Sequence, residues 1–488
     1  MTDPVRAADE TDDIATEEVV VNGVNARSGR YGVPALPAAL LAAIAEQRPL
    51  SAAELDELRE RLHRAKAHLG VADHIDPNDL AKSGWGVVFA QDDPDAAAAL
   101  EALEPLLAKR SNEAGEHYRV FAEGDGVAPN EPGRKFLAKH GSAPGPVDPR
   151  NGVPYYLLIV GSPERVPFDV QTDFSVRHAV GRLDLGSIDA LAAYAEQTVR
   201  RETDATPMAK RAAVFATRNP GDVATQRSHR MLATPVAAAF ESQANDFRDW
   251  SVQRLFAKDA EKTALRDLLH DGPAPSILFS ASHGALLPLD DADVQRAVQG
   301  ALVTQKWPGP MQQDRPLTDE ELFTANDLAD GATLGGMIAF LFACYSAGTP
   351  AFDEFLPPET GALRSIAPKP FVARLPQRML ECGASAVIGH VERAWTTSFR
   401  WPGTGATTTA FTSVLHALAR GARVGAALEH LTRRYTEVST ELAEELRLRR
   451  ANIDNDDVVA GLWTAQTDAR NFVIIGDPAV RLTVAANQ

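Results

Sequence analysis

Apolar residues along this chain gather in short unbroken runs that end in turn residues. Between the runs they recur at helical spacing. Trp85-Gly-Val-Val-Phe-Ala, Tyr155-Tyr-Leu-Leu-Ile-Val-Gly161 and Ala179-Val-Gly-Arg-Leu read as strands, as do residues 212–217, 252–256, 276–281, 337–343, 384–389 and 472–475. Such runs suit strands buried on both faces of a sheet. Helical patterns over 95–109, 188–202, 229–243, 262–270, 371–382, 408–418 and 424–450 separate most of them. Strands alternating with helices predict a doubly wound, mainly parallel sheet.

The same pattern divides the chain. Residues 1–48 are acidic and interrupted by Gly and Pro, so they read as a largely disordered tail with one short Ala/Leu helix near 37–44. Ser51-Ala-Ala-Glu54 has the form of a capping box and predicts a helix to about Leu69. Residues 49–205 read as a smaller α/β unit and 206–488 as a larger one. Leu158-Ile-Val-Gly-Ser-Pro163 and Val473-Ile-Ile-Gly-Asp-Pro478 echo each other, which fits either related halves or two strands stopped by the same turn chemistry. Residues 287–330, with Trp307-Pro-Gly-Pro310, lack clear periodicity before Glu320 and read as a long loop. Loops of that length are usually functional or disordered. This one begins four residues after His283 and is expected to form an active-site rim.

Composition narrows the function. A formal net charge of −17 sets the surface against nonspecific nucleic-acid binding. Only Cys344 and Cys382 occur, which excludes a disulfide framework and a thiolate-rich zinc site and fits a reduced, cytoplasmic compartment. The first residues carry no apolar signal core, and no run is long enough to span a membrane. No P-loop, His-Glu-x-x-His or dinucleotide fingerprint appears, so no cofactor, metal, nucleic-acid or membrane partner is expected.

Two strands end in candidate chemistry. Ser276-Ile-Leu-Phe-Ser-Ala-Ser-His283-Gly284 delivers an imidazole, and Gly336-Met-Ile-Ala-Phe-Leu-Phe-Ala-Cys344-Tyr-Ser-Ala-Gly348 delivers a thiol. Ligands of open parallel sheets bind beyond the carboxyl ends of the strands, so the two side chains can share one crevice as nucleophile and base. The backbone N–H groups of Gly284 and Cys344 are candidate oxyanion donors. A turn-exposed thiol near imidazole is expected to alkylate faster than Cys382, which reads as core packing. Alternatives stay open. His390 also follows an apolar strand, Cys344 and His283 taken singly suit plain packing or loop roles, and Ser282 or Ser346 could serve a serine acyl hydrolase.

The order apolar strand, Ser-His-Gly, long connection, apolar strand, Ala-Cys-x-x-Gly resembles the caspase-like (clan CD) cysteine peptidases, in particular their CHAT and gingipain-like branches. Gly383-Ala-Ser-Ala-Val-Ile-Gly389 and Phe472-Val-Ile-Ile-Gly-Asp-Pro-Ala-Val-Arg-Leu482 are similar to the strands that follow the nucleophile there. The resemblance covers roughly residues 150–482. It implies a caspase-like three-layer α/β/α catalytic domain with a mainly parallel sheet, preceded by a smaller α/β subdomain. It also implies a thiol protease with His283 as general acid/base and Cys344 as nucleophile, acting on a protein or peptide substrate, with a regulatory protein partner left open. Asp222, Asp353 and Glu354 are candidate acids for a basic P1 side chain, and Arg218 is the opposing candidate for an acidic one. A catalytically silent scaffold with the same crevice is the competing class.

Overall fold

The nine apolar runs and a tenth strand, Tyr118–Phe121, pair into one sheet. The computed structural model describes residues 70–484, save 73–74, 205–206, 244, 290, 313–314, 329–331, 354–363, 402–404 and 451–455, together with an antiparallel pair, Glu18–Val19 with Leu36–Pro37. That pair belongs to a separate unit, 1–67, and the expected helices near 37–44 and 51–69 lie outside the described residues. The strands are β1 Trp85–Val88, β2 Tyr118–Phe121, β3 Tyr156–Val160, β4 Ala179–Leu183, β5 Arg211–Ala216, β6 Ser251–Phe256, β7 Ile277–Ala281, β8 Ile338–Phe342, β9 Ala386–His390 and β10 Phe472–Gly476. Their order across the sheet is β2-β1-β3-β4-β10-β9-β8-β7-β5-β6. The helices used below are α1 Glu104–Ala114, α2 Ile188–Thr203, α3 Val223–Ser228, α4 Val424–Arg450 and α5 Asp456–Arg470.

Alternation along each strand sends side chains to both faces, so both must be covered. On β7, Leu278 joins a core that runs under both halves of the sheet, with Trp85, Tyr156, Leu341 and Ile475. Its neighbours Ile277 and Phe279 enter the opposite layer with Phe340, Phe411 and Leu415. The first half has its own second layer, with Val88, Leu157 and Ile159 against Phe136 and Phe174. The result is three layers, helices on both faces of a mainly parallel sheet.

One pairing breaks the parallel run. β10 lies parallel to β4 and antiparallel to β9. The strands of the first half therefore point opposite to β5–β9, and the last strand of the chain joins the two. The change near residues 204–207 falls between two halves of one continuous sheet, and residues 68–488 form one compact unit.

The joint is fixed by a buried charge cluster. Asp477, just past β10, accepts from Trp85 Nε1 at 3.0 Å and Arg110 Nε at 2.8 Å. Arg110 on α1 also holds Glu202 on α2 at 2.6 Å and Glu113 at 2.6 Å. Burial alone would lower the Arg110 guanidinium, and the facing carboxylates reverse that and raise it well above its usual value. Removing one partner of a buried pair leaves an uncompensated charge. Asp477→Ala should therefore cost about 3–5 kcal/mol of unfolding free energy, read by denaturant titration. Glu113→Ala, at the half-buried rim of the cluster, should cost less, because Arg110 keeps Asp477 and Glu202.

The 287–330 connection is more ordered than its lack of periodicity predicts. It contains a helix, Ala292–Val298, and an antiparallel pair, Leu302–Val303 with Leu322–Phe323. Its order comes from contacts with the strand ends. Asn219 donates to the carbonyls of Thr304 at 3.1 Å and Trp307 at 2.8 Å, and a Cβ on Gly309 would meet the Pro220 carbonyl. Among the described residues no helix is long and apolar enough to cross a membrane.

Candidate active site

The site is built by four neighbouring strands, β9-β8-β7-β5. Phe342 of β8 pairs with Ala281 of β7. Cys344 and His283 each lie two residues beyond these partners, so they stand at the same level (342 + 2 and 281 + 2). Both line one cleft of about 210 Å³, with Ser282, Phe342, Arg393 and Trp395 among its walls. That volume is below the range of about 300–1,000 Å³ typical of sites for whole small molecules, and it suits a single side chain.

Cys344 enters a strained turn. Tyr345, next in the chain, has φ +58, in the left-handed region that costs a residue with a side chain about 1–3 kcal/mol. The turn is held because Tyr345 N–H donates to the Glu392 carbonyl at 2.7 Å and its hydroxyl to Glu392 Oε1 at 2.8 Å. The Cys344 thiol donates to the Ala394 carbonyl at 3.7 Å. Burial pushes this thiol above its ordinary value, and hydrogen bonding with the backbone of Ala394 and Gly284 acts the other way. Burial therefore opposes the thiolate enrichment expected from the sequence. Gly284 has to be glycine here, since a Cβ would lie 1.8 Å from the Cys344 carbonyl oxygen.

His283 is oriented from the other side. Its Nε2 lies 2.9 Å from Asp222 Oδ2, and Trp307 packs edge-on against the ring at 5.4 Å between centroids. Asp222 caps α3, and the same Oδ2 accepts from Thr225 N–H at 2.9 Å and Thr225 Oγ1 at 2.5 Å. Burial alone would raise the Asp222 carboxyl. The hydrogen bonds from His283 and Thr225 outweigh it and hold the group far below the usual carboxylate range. A fixed anion on Nε2 leaves Nδ1 as the basic nitrogen.

The other candidates fall elsewhere. Asp353 is buried and makes a two-point ion pair with Arg393, at 3.0 and 2.8 Å. Asp222 and Asp353 are thus both engaged by cations or donors of this chain, and neither stands open for a basic P1 side chain. Glu354 lies outside the described residues. Arg218 is exposed, its backbone clasped by Gln305, and it is not part of the cleft wall. His390 is buried with Nδ1 and Nε2 facing the carbonyls of Glu392 at 3.2 Å and Asp468 at 2.9 Å. Ser346 is buried and donates to Leu341. Ser282 does line the cleft, with its hydroxyl on the His283 carbonyl at 3.0 Å. Cys382 sits in the core.

Two residues went unnoticed in the sequence. Trp395 follows β9 by five residues and walls the cleft. Asp468 on α5 is buried and fixes that loop, accepting from Trp395 N–H at 2.8 Å and from the Ser398 hydroxyl. A position beyond the strand next to the nucleophile strand was a usable signal for Trp395, whereas Asp468 carries none locally.

Residues 153–483, well over half of the chain, match the family model described as peptidase family C25. Solved structures with a similar course include the Arg-specific cysteine proteinase gingipain R, at 11% identity over 86% of this chain and 81% of that one, TM-score 0.49. The complex of Porphyromonas gingivalis RgpB pro- and mature domains is similar at 12% identity over 82% and 80%, TM-score 0.49. The Saccharomyces cerevisiae separase–securin complex is similar at 10% identity over 67% of this chain and 15% of that one, TM-score 0.33. No curated protein sequence matches.

Proposed function

The chain belongs to peptidase family C25 and is a clan CD cysteine peptidase, and from that premise we propose that it is an endopeptidase in which Cys344 is the nucleophile, His283 the general acid/base and Asp222 the residue that orients His283. The observation that most supports this reading is the delivery of all three groups to one end of adjacent strands, with the imidazole locked by a carboxylate.

Burial favours the neutral thiol at rest, and attack and proton transfer run together. Sγ bonds to the scissile carbonyl carbon while its proton passes to His283 Nδ1. The oxyanion is met by the N–H groups of Gly284 and Cys344; one such donor is typically worth about 2.7–4 kcal/mol of barrier. His283 then gives the proton to the amine as the C–N bond breaks, leaving a thioester. A water, deprotonated by His283, releases the acid and restores the thiol.

Iodoacetamide tests the nucleophile. Alkylation should fall on the cleft thiol Cys344 ahead of Cys382, mapped by peptide mass, and peptide cleavage should disappear in step. Because burial raises the thiol, the alkylation rate should keep climbing as pH rises through and beyond the ordinary thiol range near 8.5. Cleavage that persists after complete alkylation of Cys344 would refute the assignment and direct attention to Ser282.

A further inference from the structure

The walls of the cleft carry no carboxylate among the described residues. Its one full charge, Arg393, is already met by Asp353 at 2.8 and 3.0 Å and by Glu392 at 2.8 Å. What remains beside Cys344 is apolar or hydroxyl-bearing. Phe342 and Phe399 form the floor, edge to face at 5.6 Å, and both belong to the core beneath. Trp395 forms a wall whose backbone is pinned by buried Asp468. Ala224, Thr225 and Ser228, from α3, close the remaining side.

A lysine or arginine entering here would lose its water shell against aromatic rings and meet a second guanidinium on the same wall. An acidic side chain would find Arg393 already bound to two carboxylates. An apolar side chain loses nothing on entry and displaces water from Trp395, over a floor that Phe342 and Phe399 keep apolar.

We infer that the pocket beside Cys344 selects an uncharged apolar P1 side chain, with Trp395 setting the size it accepts. This rests on the reading of Cys344 as nucleophile.

Matched peptides differing only at P1 (Leu, Phe, Met, Ala, Arg, Lys, Asp) test it, with the same series as chloromethyl ketones and adducts on Cys344 read by intact mass. Leu, Met or Phe should exceed Arg, Lys and Asp by at least about tenfold in kcat/KM or in adduct rate. Trp395→Ala should shrink the Phe-over-Ala ratio by roughly ten- to a hundredfold. A Cys344-dependent preference for Arg, Lys or Asp overturns the pocket inference and leaves the peptidase standing. Absence of both cleavage and Cys344 adducts across the whole series overturns the peptidase reading, and the pocket inference falls with it.

Discussion

With Cys344 replaced by Ala, cleavage of any peptide the unaltered protein turns over should fall by roughly 10³- to 10⁶-fold, the range seen when a nucleophile acting with its base is removed. Binding should survive, because the walls at Phe342, Phe399 and Trp395 are untouched, so the loss belongs in kcat with KM little changed. The fold should also survive. The side chain gives up only sulfur hydrogen bonding with the backbone of Ala394, at 3.7 Å, and of Gly284, and Tyr345 keeps both its bonds to Glu392. Steady-state kinetics on the matched peptides, with Tm as the control, separates these outcomes. A Cys344→Ala protein that retains a tenth of the activity would place the nucleophile elsewhere.

Asp222→Asn should lower kcat by about 10³–10⁴-fold, by analogy with the cost of neutralising the acid behind a catalytic imidazole. The amide can still cap α3 through its oxygen and accept from His283 Nε2. What disappears is the negative charge that favours the imidazolium formed during attack. A purely structural role would instead show as lost stability with normal turnover. Stability offers its own pH signature. The folded-state carboxyl is depressed, so its contribution is present in full above the unfolded Asp value of about 3.9 and is lost as pH falls further toward the folded value. The unaltered protein's advantage over the Asn variant should therefore be constant near neutrality and shrink below about pH 4. An advantage that grows in acid would mean that Asp222 is not held as an anion.

Much of the scaffold was legible because burial writes itself into local composition. β8 is an unbroken apolar run and β7 is interrupted only by Ser280, with every residue of both buried, and Ile277 and Leu278 read as strand wherever they sit. β2 escaped notice for the converse reason. Tyr118–Phe121 lies at the sheet edge with only Phe121 buried, so its pattern resembles a loop. Helix α5 was missed too. It opens on Asp456 and Asp457, and its buried positions include Thr467 and Asp468, polar residues that break the apolar stripe.

His283 and Cys344 were readable as a pair because strand ends announce themselves through the turn chemistry that follows. The direction of β10 was not, since a strand bears no mark of whether its neighbour runs with or against it. The same holds for the carboxylates. As a sequence, Asp222 and Asp353 are two acids in two loops, equally suited to meet a substrate's charge. Strand order β9-β8-β7-β5 puts Asp222 against His283, and the loop after β9 brings Arg393 to Asp353. Trp395 and Asp468 lie 73 residues apart in the chain (468 − 395) and meet only through the fold. The sequence by itself determined where strands end and which reactive groups ride on them, because those depend on local hydrophobicity and turn propensity. Tertiary structure alone decided which charges were already answered, because a side chain's partner is fixed by distances that no local pattern encodes.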